Sequence, residues 1–202
     1  MFRQQVRRNV HHHWVALAAT LLWIVLLLHP VRSWFEASMF RHMIVQVPLL
    51  FAVGWIWGRW LRNSYALNFL QRANRWGATG MLLALVTMTL WMLPRLLDSA
   101  ILDSQWRWAK FLSVPIFAGT AASLSWHRCP AIARGVIHME IIATFWRFGW
   151  GYLIAEDRLC LSYLLNDQRQ TGMALFWIGG VWAVMVVWRP LFGTLRVEKT
   201  SG

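Results

Sequence analysis

Six long apolar segments constrain this chain more than any other feature of its sequence. They cover residues 14–29, 39–58, 76–94, 108–126, 131–152 and 171–193. A helix that crosses a bilayer needs about 20 mostly apolar residues, because lipid cannot satisfy backbone amides. The loops between the segments are short, so consecutive helices are expected to pack side by side in one bundle. We therefore predict an all-α, polytopic transmembrane bundle of about six spans, with residues 1–202 forming a single transmembrane domain.

The composition agrees with a membrane protein and argues against other classes. Hydrophobic residues make up 58% of the chain and charged residues 14%, whereas soluble proteins carry roughly 25% charged residues. A formal net charge of +12 would suggest nucleic-acid binding in a soluble protein. Here no soluble domain remains to form such a surface, so we expect contact with the lipid bilayer and none with nucleic acid. Cys129 and Cys160 are too far apart in sequence to indicate a disulfide framework or a thiolate metal site.

Basic residues are distributed unevenly between the two ends of the predicted bundle. One end carries, beside the single acid Glu198, the residues Arg3, Arg7, Arg8, Arg59, Arg62, Arg72, Arg75, Arg128, Arg134, Arg189, Arg196 and Lys199. At the other end, acidic and basic residues are nearly balanced. Because cytoplasmic loops are enriched in lysine and arginine, we predict that both termini are cytoplasmic. The expected location is a bacterial inner membrane, which the chain would cross several times.

The second segment contains polar residues where lipid would disfavour them. Met39, His42, Met43 and Gln46 follow the i, i+3, i+4, i+7 spacing that places them on one face of a helix. Imidazole and thioether groups together suit copper, especially Cu(I). The alternative is that this face packs against another helix, with His42 bonded to a neighbouring polar group and the methionines filling space.

The third segment ends at the same predicted outer level as His42. Met92 could add a thioether there, and Asp98 could orient an imidazole. Alternatively, Pro94 ends the helix, and Asp98 with Arg95 caps it at the membrane interface. A metal site and a capped helix end therefore both stay open at this position.

The fifth segment carries His138, Glu140 and Arg147, which we single out as intramembrane polar residues. Ionisable groups inside a membrane are candidates for function by default. His138 and Glu140 point to different faces and cannot hold one metal together. Glu140 and Arg147 are seven residues apart, about 10 Å along a helix, so they share a face and could pair through a polar bridge. Structural pairing within the bundle and a proton path are the two interpretations.

The remaining sequence signals are weak. The run His11 to His13 could bind a metal ion or form a basic interfacial tail. No nucleophilic triad, phosphate loop or dinucleotide fingerprint is present, so we predict that the protein is not an enzyme. A transporter is disfavoured because no pair of charged or glycine-broken spans recurs in the two halves.

Three segments resemble the CtaG family, polytopic membrane proteins associated with the assembly of cytochrome c oxidase and its copper centre. "FRHMIVQVPLL" resembles that family's histidine-led helix, and "LWMLPRLLDSAI" resembles its tryptophan-histidine-x-proline motif. "NDQRQTGMALFWIGGVW" is similar to a third pattern, with Trp177 offset by one. The residues at matching intervals in that pattern are Asp167, Gln168, Gly172, Gly179 and Gly180.

This chain departs from the family pattern at several ligand positions. Met92 stands where the family has histidine, and the next helix offers Lys110 instead of further histidines. The resemblance implies assembly of, or copper delivery to, a respiratory or related copper oxidase. His42, Met43 and Met92 would then hold Cu(I), with Met39 as a substitute for Met43. The residues that would orient these ligands or support the fold are Gln46, Asp98, Asp167 and Gln168.

The alternative prediction is an accessory subunit of a larger membrane complex that holds no metal. The replaced ligands favour it, and so do the sixteen tryptophans, which anchor protein interfaces as well as bilayers. On either prediction the partners are other membrane protein subunits, and the cofactor is Cu(I) or none.

Overall fold

The computed structural model describes residues 2–62, 74–160 and 162–192. Over these residues the chain is helical and contains no strand, which confirms the all-α prediction. In chain order the elements are α1 (Phe2–Leu27), α2 (His29–Glu36), π1 (Arg41–Gln46), α3 (Val47–Leu61), α4 (Ala78–Trp91), α5 (Pro94–Leu102), α6 (Ser104–Ser113), π2 (Val114–Thr120), α7 (Ala121–Trp126), α8 (Ala131–Ile154) and α9 (Leu165–Phe192). The side chains of His11 and His12 lie outside the described part of the structure.

Two of the described helices are long and apolar enough to cross a membrane without a break. They are Arg41–Leu61, which joins π1 to α3, and Leu165–Trp188 within α9. The number rises to four if α1 with α2, and α4 with α5, each count as one bent span. Helices of membrane-spanning length are therefore present, while the count of six spans and the position of the termini stay predictions.

Two of the predicted segments, 14–29 and 76–94, end at bends in the structure. The axes of α1 and α2 differ by 72°, as do those of α4 and α5. Proline lies in the first turn of the second helix in each pair, at Pro30 and Pro94. Proline suits a helix start, because it lacks the N–H that would be unsatisfied there, and it disfavours helical backbone in the residue before it. After the bends, α2 packs against π1 and α5 packs against α6.

Each of the two π-helical segments has a proline within it or just after it. Pro48 follows π1 directly, and Pro115 is the second residue of π2. A proline inside a helix clashes with the carbonyl four residues earlier and cannot donate to it. The wider π turn relieves this clash without ending the helix, and such turns are frequent at functional sites.

Glycines bring α3 and π2 unusually close together. A Cβ on Gly54 would lie 1.9 Å from the Pro115 carbonyl oxygen, and one on Gly119 would lie 2.3 Å from that of Phe51. Thr120 Oγ1 donates a hydrogen bond of 2.9 Å to the Gly54 carbonyl. Packing through small residues with hydrogen bonds between helices is characteristic of membrane proteins. This contact fixes π1 and α6, the elements that carry the central polar residues, relative to each other.

Candidate functional site

A layer of buried polar side chains lies where α2, π1, α6 and the segment before α9 meet. His42 is at its centre and has no exposed surface, and the same holds for Gln46 and Lys110. Met39 and Met43 are also buried, at 0% and 2% exposure, so the face predicted from the 39–46 spacing is fully covered. The backbone there is π-helical, not α-helical, over Arg41–Gln46.

Lys110 is the closest charged neighbour of His42. Its Nζ lies 2.7 Å from His42 Nε2, 2.9 Å from Glu36 Oε1 and 3.1 Å from Gln46 Oε1. A lysine ammonium has three donor hydrogens, so these three contacts satisfy it completely. A fully buried ammonium is stable only when it is paired and hydrogen-bonded in this way.

The contacts of His42 define its protonation state. A lysine ammonium can donate but cannot accept, so His42 Nε2 must be the unprotonated nitrogen that accepts from it. The proton of the neutral ring is then on Nδ1, which lies 2.7 Å from Tyr163 Oη and donates to it. Both ring nitrogens are therefore used within the protein, and the side chain links Lys110 to Tyr163.

Further charged groups flank Lys110. Arg32 Nε lies 3.5 Å from Glu36 Oε2, so the Glu36 carboxylate joins Lys110 and Arg32. Arg107 is one turn before Lys110 on α6 and donates from Nη2 to the Ile101 carbonyl at 3.1 Å. The layer thus contains an ion-pair network in addition to neutral hydrogen bonds.

Asp167 and Gln168 hold the backbone around the layer. Asp167 accepts from Ser38 Oγ at 2.9 Å and from the Met39 backbone N–H, which fixes the start of the helical turn that carries His42. Gln168 accepts from the Leu159 N–H at 2.9 Å. In these contacts both residues order the chain and do not touch His42.

Met92 belongs to the same buried region but to its apolar part. Met92 is part of a buried, mostly apolar cluster whose other members are Met39, Met43, Leu97, Tyr152, Cys160, Tyr163 and Leu175. The backbone carbonyl of Met92 accepts a 2.6 Å hydrogen bond from Tyr152 Oη. The three predicted thioethers are therefore gathered in one cluster beside the polar layer, with Tyr163 common to both.

Asp98 lies close to Ser162, which is next to Tyr163 of this cluster. Its Oδ1 accepts from the Ser162 N–H at 3.3 Å. Burial, with the negative charge of Asp98, raises the pKa of the Cys160 thiol to about 12. Burial, with the nearby Glu36, also raises the pKa of Tyr163 above its ordinary value. Both groups are protonated at neutral pH, so Cys160 is a poor thiolate donor and Tyr163 acts as a neutral phenol.

The donor set fits copper only in part. In the described residues no group of three or more His, Cys, Asp and Glu side chains is arranged to hold a metal ion. His42 cannot offer a nitrogen while Lys110 donates to Nε2 and Tyr163 accepts from Nδ1. Met39, Met43 and Met92 belong to one buried cluster, and soft sulfur ligands suit Cu(I). The residues present therefore fit a thioether site better than the predicted site containing His42.

The polar residues of α8 do not take part in this layer. His138 Nδ1 accepts from Trp182 Nε1 at 3.3 Å, and its ring lies edge-on to Trp126. Glu140 and Arg147 form a direct ion pair of 2.5 Å, without the intervening group that we expected. Their side chains are 48% and 64% exposed, respectively, so this pair faces away from the bundle.

The sequence does not predict the two partners of His42. Lys110 stands out only as a departure from the family pattern, and no local pattern points to Tyr163 or to Glu36, the partner of Lys110. One sequence feature does point to such a partner, namely that Lys110 lies close to the start of an apolar segment. A cation buried in a membrane bundle requires an acidic or polar partner on another helix. Comparison of the chain with family models, curated proteins and solved structures finds no match.

Proposed function

We propose that this protein is a non-catalytic accessory subunit of a larger membrane complex, built on a six-span, CtaG-like bundle with both termini in the cytoplasm. A bacterial inner membrane and a copper-containing oxidase are the proposed setting and partner. The polar layer would hold the helices together, with the Lys110 ammonium next to His42 where a bound metal would otherwise need the imidazole. The exposed polar stripe of α8 supports the subunit role most directly.

This α8 stripe consists of Glu140, Thr144, Arg147 and Gly151, which recur at helical spacing. Thr144 Oγ1 lies 3.4 Å from Glu140 Oε1, so the first three residues form one polar group. Apart from its own helical turn, a Cβ on Gly151 would meet no atom of the described residues within 4 Å. Polar groups and a glycine with open space in front of it are typical of the contact between two membrane helices.

Lipid is a poor neighbour for this stripe. On the six-span proposal, which counts α8 (Ala131–Ile154) as a span, Glu140 lies near the middle of that span. A charged residue at the centre of a membrane helix costs about 2.5–3.5 kcal/mol on insertion scales. Pairing with Arg147 reduces that penalty, but both side chains stay largely exposed, and a helix from another subunit would cover them.

A second copy of this chain fits the stripe less well than a different protein. Two copies in one membrane have the same orientation, so a symmetric dimer places the two α8 helices parallel to each other. Glu140 would then face Glu140, and Arg147 would face Arg147. Like charges in contact are unfavourable, so we assign the stripe to a transmembrane helix of a different subunit that carries polar groups.

Purification from native membranes in mild detergent tests the proposed role. The wild-type protein should retain a partner in a fixed stoichiometric ratio through size exclusion. Gly151→Leu should lose it, because leucine fills the space open to the partner. Gly180→Leu is the matched control, since a Cβ on Gly180 in α9 also meets nothing within 4 Å.

A charge exchange provides a second variant that preserves the stability of the chain. In Glu140→Arg/Arg147→Glu the ion pair within α8 is kept, but the charges shown to a partner are reversed. Loss of the partner in this variant and in Gly151→Leu supports the subunit role. Migration of the wild-type protein alone, or equal retention by all variants, contradicts it.

Copper delivery is the second candidate function, and the cluster of Met39, Met43 and Met92 favours it. These residues would hold Cu(I) through sulfur, and the ion would be cargo for the oxidase. Protein purified without chelator should then contain about one copper per chain, lost in Met92→Leu. Met139→Leu, at an exposed methionine of α8, is the control. Copper below about 0.2 per chain in the wild-type protein would exclude this candidate.

A further inference from the structure

A groove lies between α1, α3 and π2, and none of the residues of the polar layer lines it. Its volume is about 470 Å³, within the range of about 300–1,000 Å³ typical of ligand sites. The lining residues are His13, Ala16, Leu17, Thr20, Trp57, Trp60, Leu61, Ile116 and Thr120. The walls are almost entirely apolar, and none of these residues carries a carboxylate.

The polar atoms along the groove are already paired with each other. Trp60 Nε1 donates to His13 Nδ1 at 3.1 Å, and Trp57 Nε1 donates to Thr20 Oγ1 at 3.1 Å. The two indole rings are therefore held in place with their N–H groups satisfied. The surface that remains for a ligand is apolar, and it suits a hydrocarbon chain better than a polar molecule.

Two arginines are next in sequence to residues that line one end of the groove. Trp60 and Leu61 belong to the last turn of α3, where Arg59 is exposed and Arg62 follows the helix. No acidic residue occurs in the first 35 positions of the sequence or between Arg41 and Arg75. An apolar groove on a helix that ends in arginines, in a part of the sequence without acids, matches a phospholipid with a hydrocarbon tail and an anionic headgroup.

We propose that this groove binds one anionic phospholipid, with an acyl chain between α1, α3 and π2 and the phosphate near Arg59. Basic pockets between membrane helices bind such headgroups, and burying each methylene of the chain adds to the affinity. Tryptophan and histidine at this end of the groove lie where the headgroup meets the acyl region, the level that amphipathic rings prefer. The proposal rests on embedding of the bundle in a membrane and is independent of the α8 stripe and its partner.

Native mass spectrometry of the full-length protein, titrated with phosphatidylglycerol or with phosphatidylcholine of the same acyl chains, tests this assignment. The wild-type protein should bind one phosphatidylglycerol in preference to phosphatidylcholine. Leu17→Trp fills the groove and should weaken binding about tenfold or more. Leu21→Trp is the control, because Leu21 is exposed on the same helix and does not line the groove.

The headgroup contact is tested separately with Arg59→Gln. This variant should reduce the preference for phosphatidylglycerol about fivefold, the effect of one arginine near a phosphate. Arg75→Gln removes the same charge from an exposed position away from the groove and should leave the preference unchanged. Equal binding of the two lipids by the wild-type protein, or equal binding by Leu17→Trp and Leu21→Trp, overturns the proposal. Gly151→Leu should not affect lipid binding, which separates this result from the test of the subunit role.

Discussion

Replacing Lys110 with methionine should destabilise the bundle strongly. The substitution keeps a long apolar stem but removes the ammonium, which has no exposed surface and makes three polar contacts. Glu36 then loses its closest cation, while His42 Nε2 and Gln46 Oε1 lose their donors. Breaking one partner out of a buried ion pair costs about 3–5 kcal/mol. We expect a decrease of this size in the free energy of unfolding, moderated by the remaining contact of Glu36 with Arg32 at 3.5 Å.

A double variant separates the loss of the ion pair from a general packing defect. Lys110→Met combined with Glu36→Gln removes both charges, so no buried carboxylate is left without a partner. We expect it to recover about 2 kcal/mol relative to Lys110→Met alone, since removing both partners is less harmful than removing one. The coupling energy from the full cycle should then exceed that of residues that do not interact.

Reversible unfolding in mixed detergent micelles, followed by far-ultraviolet circular dichroism, provides the measurement. Arg95→Met is the matched control, because it also converts a cation to methionine but at an exposed position of α5. Exposed substitutions usually change the free energy of unfolding by about 0.5 kcal/mol or less, so this variant should unfold close to the wild-type protein. A loss below about 1 kcal/mol for Lys110→Met, or a double variant no more stable than the single one, would refute the role given to Lys110.

Two further predictions concern helix packing and the buried thiol. Gly54→Ala should reduce the free energy of unfolding by about 1–3 kcal/mol, because the new Cβ would lie 1.9 Å from the Pro115 carbonyl oxygen. Gly135→Ala is the control, since a Cβ there has open space around it. It should leave the free energy of unfolding unchanged or raise it in the same assay. In a Cys129→Ser background, alkylation of Cys160 by iodoacetamide should be slow at pH 8, because the thiol is 1% exposed and burial raises its pKa to about 12. A rate at pH 8 equal to that of free cysteine would contradict the buried position.

The sequence predicts the features that depend on residues within one helix. Apolar segment length predicted where the helices are, and the spacing of His42 and Gln46 predicted the face that is buried in the structure. The bends at Pro30 and Pro94 fall at the ends of the predicted segments 14–29 and 76–94, because the residue before a proline disfavours helical backbone. Their angle of 72° depends on the packing of whole helices.

The partners of His42 could not be read from local spacing. Lys110 is 68 residues from His42, and Tyr163 is 121 residues from it, so only the packing of whole helices brings them together. A periodic pattern reports which face is buried but not which element covers it. The same limit applies to α8, where spacing placed Glu140 and Arg147 on one face but could not show that this face is exposed.

Photo-crosslinking in native membranes tests most directly whether the α8 stripe contacts another protein. A benzophenone amino acid at Val136, one turn before Glu140, is compared with the same probe at Val184 on α9, since these valines are 63% and 64% exposed. We expect one discrete protein adduct from position 136, and lipid adducts from position 184. Lipid adducts alone from both positions would show that α8 faces the bilayer and would contradict the proposed role as a subunit.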